Sequence, residues 1–269
     1  MRSDRVVTAS VSDNISASIR TTMRPAKRDA RCRRSLLIGA AAIGAVSMLT
    51  QRALAANDVW VGSTSVNWAD LNWTTSNSPA IPDSGDTLEF GAAGSAGLNL
   101  IDNLMTPATF NIAGITFDAS GGAFVINPGS TGTNGFTLTG TGTITDNDTT
   151  AIETIGDSIA GTAGLTLTGG GTLDLTGTNS YTGGTTIAAA SLLNINSDAA
   201  LGAVPGSAGT NITFSGASGD LQAGAAAVIL NANRNISLTS ATAGSTASFE
   251  TGANYMAVNG KHHRLRPLD

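Results

Sequence analysis

Two glycine-centred segments, Gly135-Phe-Thr-Leu-Thr-Gly-Thr-Gly-Thr-Ile-Thr145 and Gly164-Leu-Thr-Leu-Thr-Gly-Gly-Gly-Thr-Leu-Asp174, are identical at seven of eleven positions and lie 29 residues apart. Repetition at this period limits a chain more than composition does. A unit of this size cannot bury its own apolar face and has to stack on its neighbours. In the second copy, Leu165 with Leu167 and Leu173 with Leu175 alternate with polar residues, the period of a strand with one buried face. The intervening threonines are β-branched and suit the other face. Gly169, Gly170 and Gly171 mark a corner, where backbone dihedrals closed to other residues are accessible.

The same texture runs on either side. Ile115 and Phe117, Phe124 and Ile126, Phe136 and Leu138, Leu193 and Ile195, Ile212 and Phe214, and Ile236 and Leu238 are further apolar pairs. Short strands at roughly 8–12-residue spacing predict an all-β protein. A sandwich or barrel would carry longer strands and more aromatic residues. The expected fold is a right-handed parallel β-helix, or solenoid, with Leu, Ile, Val and Phe stacked inside and Thr, Asn and Ser outside. Disorder is the competing outcome for a chain so rich in Gly and Thr, and the regular apolar pairs argue against it.

The first fifth of the chain differs. Ten of the fourteen Lys and Arg residues lie at or before Arg52, nine of them ahead of an apolar run from Leu36 to Leu49, and Ala53-Leu54-Ala55 comes after it. A basic region, a short apolar core and an A-x-A site are the parts of a secretory signal, and the run is shorter than the ~20 residues of a spanning helix. Arg33-Arg34-Ser35-Leu36-Leu37 is similar to a twin-arginine signal. The expectation is export, with cleavage after Ala55 and loss of Cys32, the one cysteine. From Ala56 to Gly260 there are fifteen acidic residues and one basic residue, Arg234, a net charge of −14 that disfavours nucleic acid and anionic membranes as partners. The expected organisation is an export segment over 1–55, an N-terminal cap over 56–110, a repeat solenoid over 111–260 and an atypical basic tail over 261–269.

Trp60, Trp68 and Trp73 are all the tryptophans of the chain. They are expected to cover the exposed apolar end of the solenoid, which would otherwise invite edge-to-edge growth. The rival use of the same three residues is a sugar-stacking platform.

From Gly169-Gly-Gly-Thr172-Leu173-Asp-Leu175 through Tyr181-Thr182-Gly183-Gly184-Thr185-Thr186-Ile187, and on to Leu192-Leu-Asn-Ile195 and Asp198-Ala-Ala-Leu-Gly202, the chain resembles the autotransporter-associated β-strand repeat. The Tyr181–Thr186 core is the most specific part. Trp60, Asn67-Trp68, Asn72-Trp73, Pro82, Asp86, Phe90 and Gly114-Ile-Thr-Phe117 resemble the usual start of proteins that carry these repeats, and Asn233-Arg-Asn-Ile-Ser-Leu238 a strand that follows them. The resemblance implies a bacterial β-helical passenger stalk, secreted or held at the cell surface, with adhesion as its use. Its partners would be cell-surface glycans or other surface proteins, and an outer-membrane translocator would be encoded elsewhere. No segment here supplies the amphipathic strands of such a barrel. The abrupt change to Lys261-His-His-Arg-Leu-Arg-Pro-Leu-Asp269 is expected of a truncated or frame-shifted product.

Parallel β-helices also carry polysaccharide-active enzymes, so the carboxylates need weighing. Asp146 and Asp148 are a close acidic pair that could face a sugar or, less suitably, a calcium ion. A solvated turn is the expected setting for them, because Asp and Asn form turns. Arg234 could steady developing negative charge, but pairing with a neighbouring carboxylate is the expected role. His262 and His263 are adjacent and would point to opposite faces of a strand, so a shared metal is not expected. Serine-nucleophile, phosphate-loop and zinc spacings do not occur in the sequence. The sequence therefore points to a non-enzymatic structural or adhesive segment without a cofactor, with a polysaccharide-active enzyme or carbohydrate-binding module as the alternative.

Overall fold

The computed structural model describes residues 55–75, 78–104, 110–129, 134–188, 190–216, 218–224, 227–239, 247–250, 256–258 and 261–262. The export segment before Ala55, Cys32 and His263 lie outside the described residues.

Each coil of the chain lays one strand in a larger sheet, turns a corner, and lays the next in a smaller sheet. In the larger sheet Thr87–Phe90, Asn111–Phe117, Gly135–Asp146, Leu165–Thr168, Thr185–Ala188, Gly209–Ser215 and Arg234–Thr239 pair in parallel, each with the next. In the smaller sheet the same holds for Asn99–Asp102, Val125–Pro128, Ile152–Ile155, Thr172–Leu175, Leu192–Ile195, Gly219–Ala223 and Ala247–Glu250. Uninterrupted parallel stacking by two alternating strands is the β-solenoid expected from the apolar pairs.

Register turns those pairs into columns. Leu88, Ile115, Ile144, Leu167, Ile187 and Phe214 follow one another inside the larger sheet, and Leu238, next in register, is exposed. Leu100, Ile126, Ile155, Leu175 and Ile195 do so inside the smaller one. Full burial of such a side chain stabilises by about 1.5–3 kcal/mol, so the columns can offset the ordering of a glycine-rich chain. The outward residues of the larger sheet stack as well, placing Thr143, Thr166, Thr186, Thr213 and Ser237 in one line.

The 29-residue sequence match does not give the stacking register. Thr166 pairs with Thr143 and not with Thr137. The two similar segments use their glycines differently. Gly169 and Gly170, at φ +104° and +90°, turn the chain from one sheet to the other. Gly140 and Gly142 instead sit within the long strand Gly135–Asp146, where the register opposite Ile112 and Gly114 jumps from Leu138 to Thr143. A bulge absorbs residues without changing sheets, so like sequences occupy unlike places.

At the N-terminal side the pairing changes sense. Asn57–Trp60 is parallel to Thr87–Phe90 but antiparallel to Trp73–Thr75, which is antiparallel to Ser78–Ala80. Trp60, Trp68 and Trp73 are each at most 1% exposed. Trp73 meets Trp60 and Trp68 edge-on at centroid distances of 5.1 and 5.6 Å, and Phe90 packs against Trp73 at 5.3 Å. Asn72 holds the loop between them. Its Oδ1 accepts from the Thr64 and Ser65 amides, and its Nδ2 donates to the Asn67 carbonyl.

Candidate functional site

Three groups of side chains carry what chemistry the described residues offer: the corner of the repeat, a set of buried carboxyls, and one buried arginine.

The corner between Leu175 and Thr185 is where the most specific sequence motif lies, and it makes a structural clamp. Tyr181 is buried, and its hydroxyl lies 2.7 Å from the Thr185 hydroxyl. Desolvation raises the Tyr181 pKa above its ordinary value, with the Thr185 hydrogen bond and the Arg234 charge opposing. Gly183 and Gly184 answer to close approach. A Cβ on Gly183 would come within 2.2 Å of the Gly164 amide nitrogen, and Gly184, at φ +82°, would meet the Asn211 carbonyl at 2.8 Å. Thr182 and Gly183 are exposed at the rim, whereas Thr185 is buried and Thr186 faces outward.

Sequence reasoning missed the corner's most connected residue, Asn179. Its Oδ1 accepts from the Ile159 amide of the preceding coil at 2.8 Å, and its Nδ2 donates to the Ala200 carbonyl of the following coil at 2.6 Å. One side chain thus bridges three coils. Its position two residues before the buried tyrosine is the signal that could have found it. Tyr181→Phe leaves the buried Thr185 hydroxyl without this partner and is expected to cost about 1 kcal/mol, read as a lower urea midpoint at unchanged m-value.

Asp146 and Asp148 do not sit in a solvated turn. Both are buried: Asp146 is the last residue of the long strand and points inward, and Asp148 lies in the turn just beyond it. Asp148 closes the turn locally, accepting from the Thr150 hydroxyl and from the amides of Thr150, Ala151 and Gly122. Those bonds, the Thr150 hydroxyl foremost, hold its pKa below the ordinary carboxylate value. Asp146 follows Phe117 in its column and accepts from the Asp148 amide at 3.0 Å. A Cβ on Gly171 would lie 2.2 Å from its carboxyl, so that third corner glycine makes room for an acid.

Glu153, which sequence reasoning also passed over, projects into the core from the strand Ile152–Ile155, beneath Leu173 in its column. Its carboxyl faces the charge of Asp146 in the core, an arrangement that favours keeping a proton on one of the two. Asp146 Oδ2 and both oxygens of Glu153 are buried without a hydrogen-bond partner. Burial first, then the neighbouring Asp146 carboxyl and the charge of Asp148, push Glu153 up to about 8, and burial raises Asp146 too. Asp157, also buried, is pushed up to about 8 by desolvation and then by the Asp102 charge; desolvation carries Asp102 to about 6. Neutral acids in a core can hold structure but cannot reach a polymer in solution. Among the described residues no three His, Cys, Asp or Glu side chains are grouped to hold a metal ion.

Arg234 pairs with a carboxylate as expected, and does much more. Its side chain is fully buried, with Nε 2.8 Å from Asp198 Oδ1. Nη1 donates to the Leu201 carbonyl and to Asn211 Oδ1, and Nη2 to the carbonyls of Asp198 and Gly202. The acceptors belong mainly to the 3-10 turn Asp198–Leu201 and its Gly202 cap. A short helix leaves its last carbonyls without partners, and the guanidinium fork supplies them.

The tryptophans, considered as glycan contacts, have their ring faces turned into the aromatic cluster. The Trp60 and Trp73 indole N–H groups donate to the carbonyls of Ala93 and Trp68, while that of Trp68 is buried without a partner.

Comparison with protein families finds that the Passenger-associated-transport-repeat matches residues 165–193. Comparisons with curated proteins and with solved structures found no match. The matched segment runs from Leu165 through the corner clamp to Leu193, so it contains one full coil: Leu165 stacks on Thr185, and Leu173 on Leu193. The chain is a β-solenoid with a Passenger-associated-transport-repeat segment at its centre, as in autotransporter passenger-type repeat proteins generally.

Proposed function

We propose that this chain is an exported, non-enzymatic β-solenoid that serves as a structural or adhesive segment at the bacterial cell surface. The observation that carries the reading is the corner clamp within residues 165–193: the residues of the repeat motif are spent on joining one coil to the next. Such a design yields length and a long lateral surface. The basic and apolar N-terminal segment supports export, with the first residues to about 55 removed. The tryptophan cluster, within residues 56–110, serves as the cap that ends the stack, and 111–260 as the repeat body. Burial of Asp146 and Asp148 supports a scaffold over a polysaccharide-active enzyme, since neither presents a carboxyl to a sugar.

The test is a glycan array run beside a hydrolysis screen on the same polysaccharides with the purified full chain. Retention on cell-surface glycans or cell-surface proteins with no new reducing ends is the expected result. Turnover of any polysaccharide that is lost on Asp146→Asn or Asp148→Asn would overturn the proposal.

A further inference from the structure

The outer face of the larger sheet carries a two-dimensional lattice for which the scaffold reading has no use. Thr143, Thr166, Thr186 and Thr213 occupy successive rungs, and Thr145 and Thr168 begin a second column two residues along their strands, which Ala188 and Ser215 continue. Neighbouring strands lie ~4.7–4.9 Å apart and alternate residues about 6.6 Å apart, so both repeats of the lattice are set by the backbone. β-Branching restricts χ1, which holds each hydroxyl and methyl in place.

Two further observations define what this face can bind. Among the described residues, the hydroxyls of Thr145, Thr166, Thr168, Thr186 and Thr213 bond to no other protein group, whereas Thr143 meets the Thr141 hydroxyl at 2.8 Å. Outward positions from Thr143 to Thr239 on this sheet carry no ionisable side chain, although residues 56–260 as a whole have a net charge of −14. The smaller sheet contrasts with it, since its outward column runs Thr154, Asp174, Asn194 and Gln222.

A charged ligand finds no complement on the threonine face. A sugar finds neither an aromatic plane nor the amides and carboxylates that fix its orientation. Regularly spaced methyl and hydroxyl groups suit a different occupant, water in a lattice: methyls hold a cage of first-shell water while hydroxyls anchor it in register. The inter-strand spacing of the face is close to the shorter oxygen repeat on the prism face of hexagonal ice. We propose that the threonine face of the larger sheet binds ice.

The test is thermal hysteresis and ice-crystal shaping by the purified full chain, with recrystallisation inhibition as a second readout. Wild type is expected to shape crystals and show hysteresis. Thr166→Tyr and Thr186→Tyr, which break the lattice from outward positions, are expected to lose most of it with an unchanged far-UV CD spectrum. Gln222→Tyr, on the outward face of the smaller sheet, is expected to retain it. Absence of ice shaping by folded wild type overturns the proposal, as does equal activity in all three variants. A polysaccharide captured through Thr166 and Thr186 by a protein inert towards ice would also overturn it, while leaving the surface-scaffold reading intact.

Discussion

Arg234→Met is expected to destabilise the protein by about 3–5 kcal/mol, because it removes the buried partner of a charge and of several carbonyls at once. Methionine fills much of the arginine's volume, so the loss is electrostatic and not a cavity effect. Asp198, partly exposed, keeps the Asn231 amide but loses its cation, and the buried Leu201 and Gly202 carbonyls at the end of the 3-10 turn lose their guanidinium donors. The corner of that coil should then open before the rest. Arg234→Lys restores the charge but not the planar fork, and is expected to recover only part of the loss. Urea unfolding followed by far-UV CD reads both. A midpoint for Arg234→Met equal to wild type would remove the staple from this account.

The second large effect is a gain of stability on acidification. Glu153 ordinarily titrates near 4.5 and Asp157 near 3.8, and both are pushed up to about 8 in the fold. Below the ordinary values each is neutral in both states, and the fold keeps its full stability. As pH rises from there, the unfolded chain ionises first and gains free energy that the folded chain cannot match, until the buried groups ionise near pH 8. Stability should therefore fall between about pH 4.5 and 8, by on the order of 3 kcal/mol after discounting for partial solvent screening. Asp102 and Asp58, raised to about 6 chiefly by burial, act in the same direction over the lower part of that window. Asp148, held below its ordinary value by Thr150 and the turn amides, acts oppositely and only in stronger acid. Thermal melts at pH 5 and pH 8 measure the difference. Glu153→Gln, which keeps the shape and removes the ionisable group, should flatten the profile; an unchanged slope in that variant would mean that Glu153 is not neutral in the fold.

These two effects come from side chains with contrasting legibility. Arg234 stands out as the one cation between Ala56 and Gly260, and its pairing with a carboxylate could be expected on charge grounds alone. Its hold on the turn Asp198–Leu201 could not, since those residues lie more than thirty positions away. Glu153 gave no signal. In Ile152-Glu-Thr-Ile155 it occupies an alternate position like that of Leu173 in Thr172-Leu-Asp-Leu175, and period two does not say which face is buried. Asp146 and Asp148 misled for a related reason. Turn-forming residue types describe the backbone, and here the backbone does turn, but the carboxyls close that turn from inside.

Local sequence determined the class of fold. Apolar residues at period two and glycine at the corners leave short strands that cannot bury themselves, so stacking in a solenoid is the one economical solution, and the Tyr181-Thr-Gly-Gly-Thr-Thr186 motif marks where consecutive coils are clamped. Tertiary structure decided the rest. It set which rung meets which, because register depends on whether a glycine turns a corner, as at Gly169, or is absorbed in a bulge, as at Gly140. It also placed the acids inside and the threonines in outward lines. Burial and alignment belong to pairs of residues a full coil apart, and no single stretch of chain contains both members.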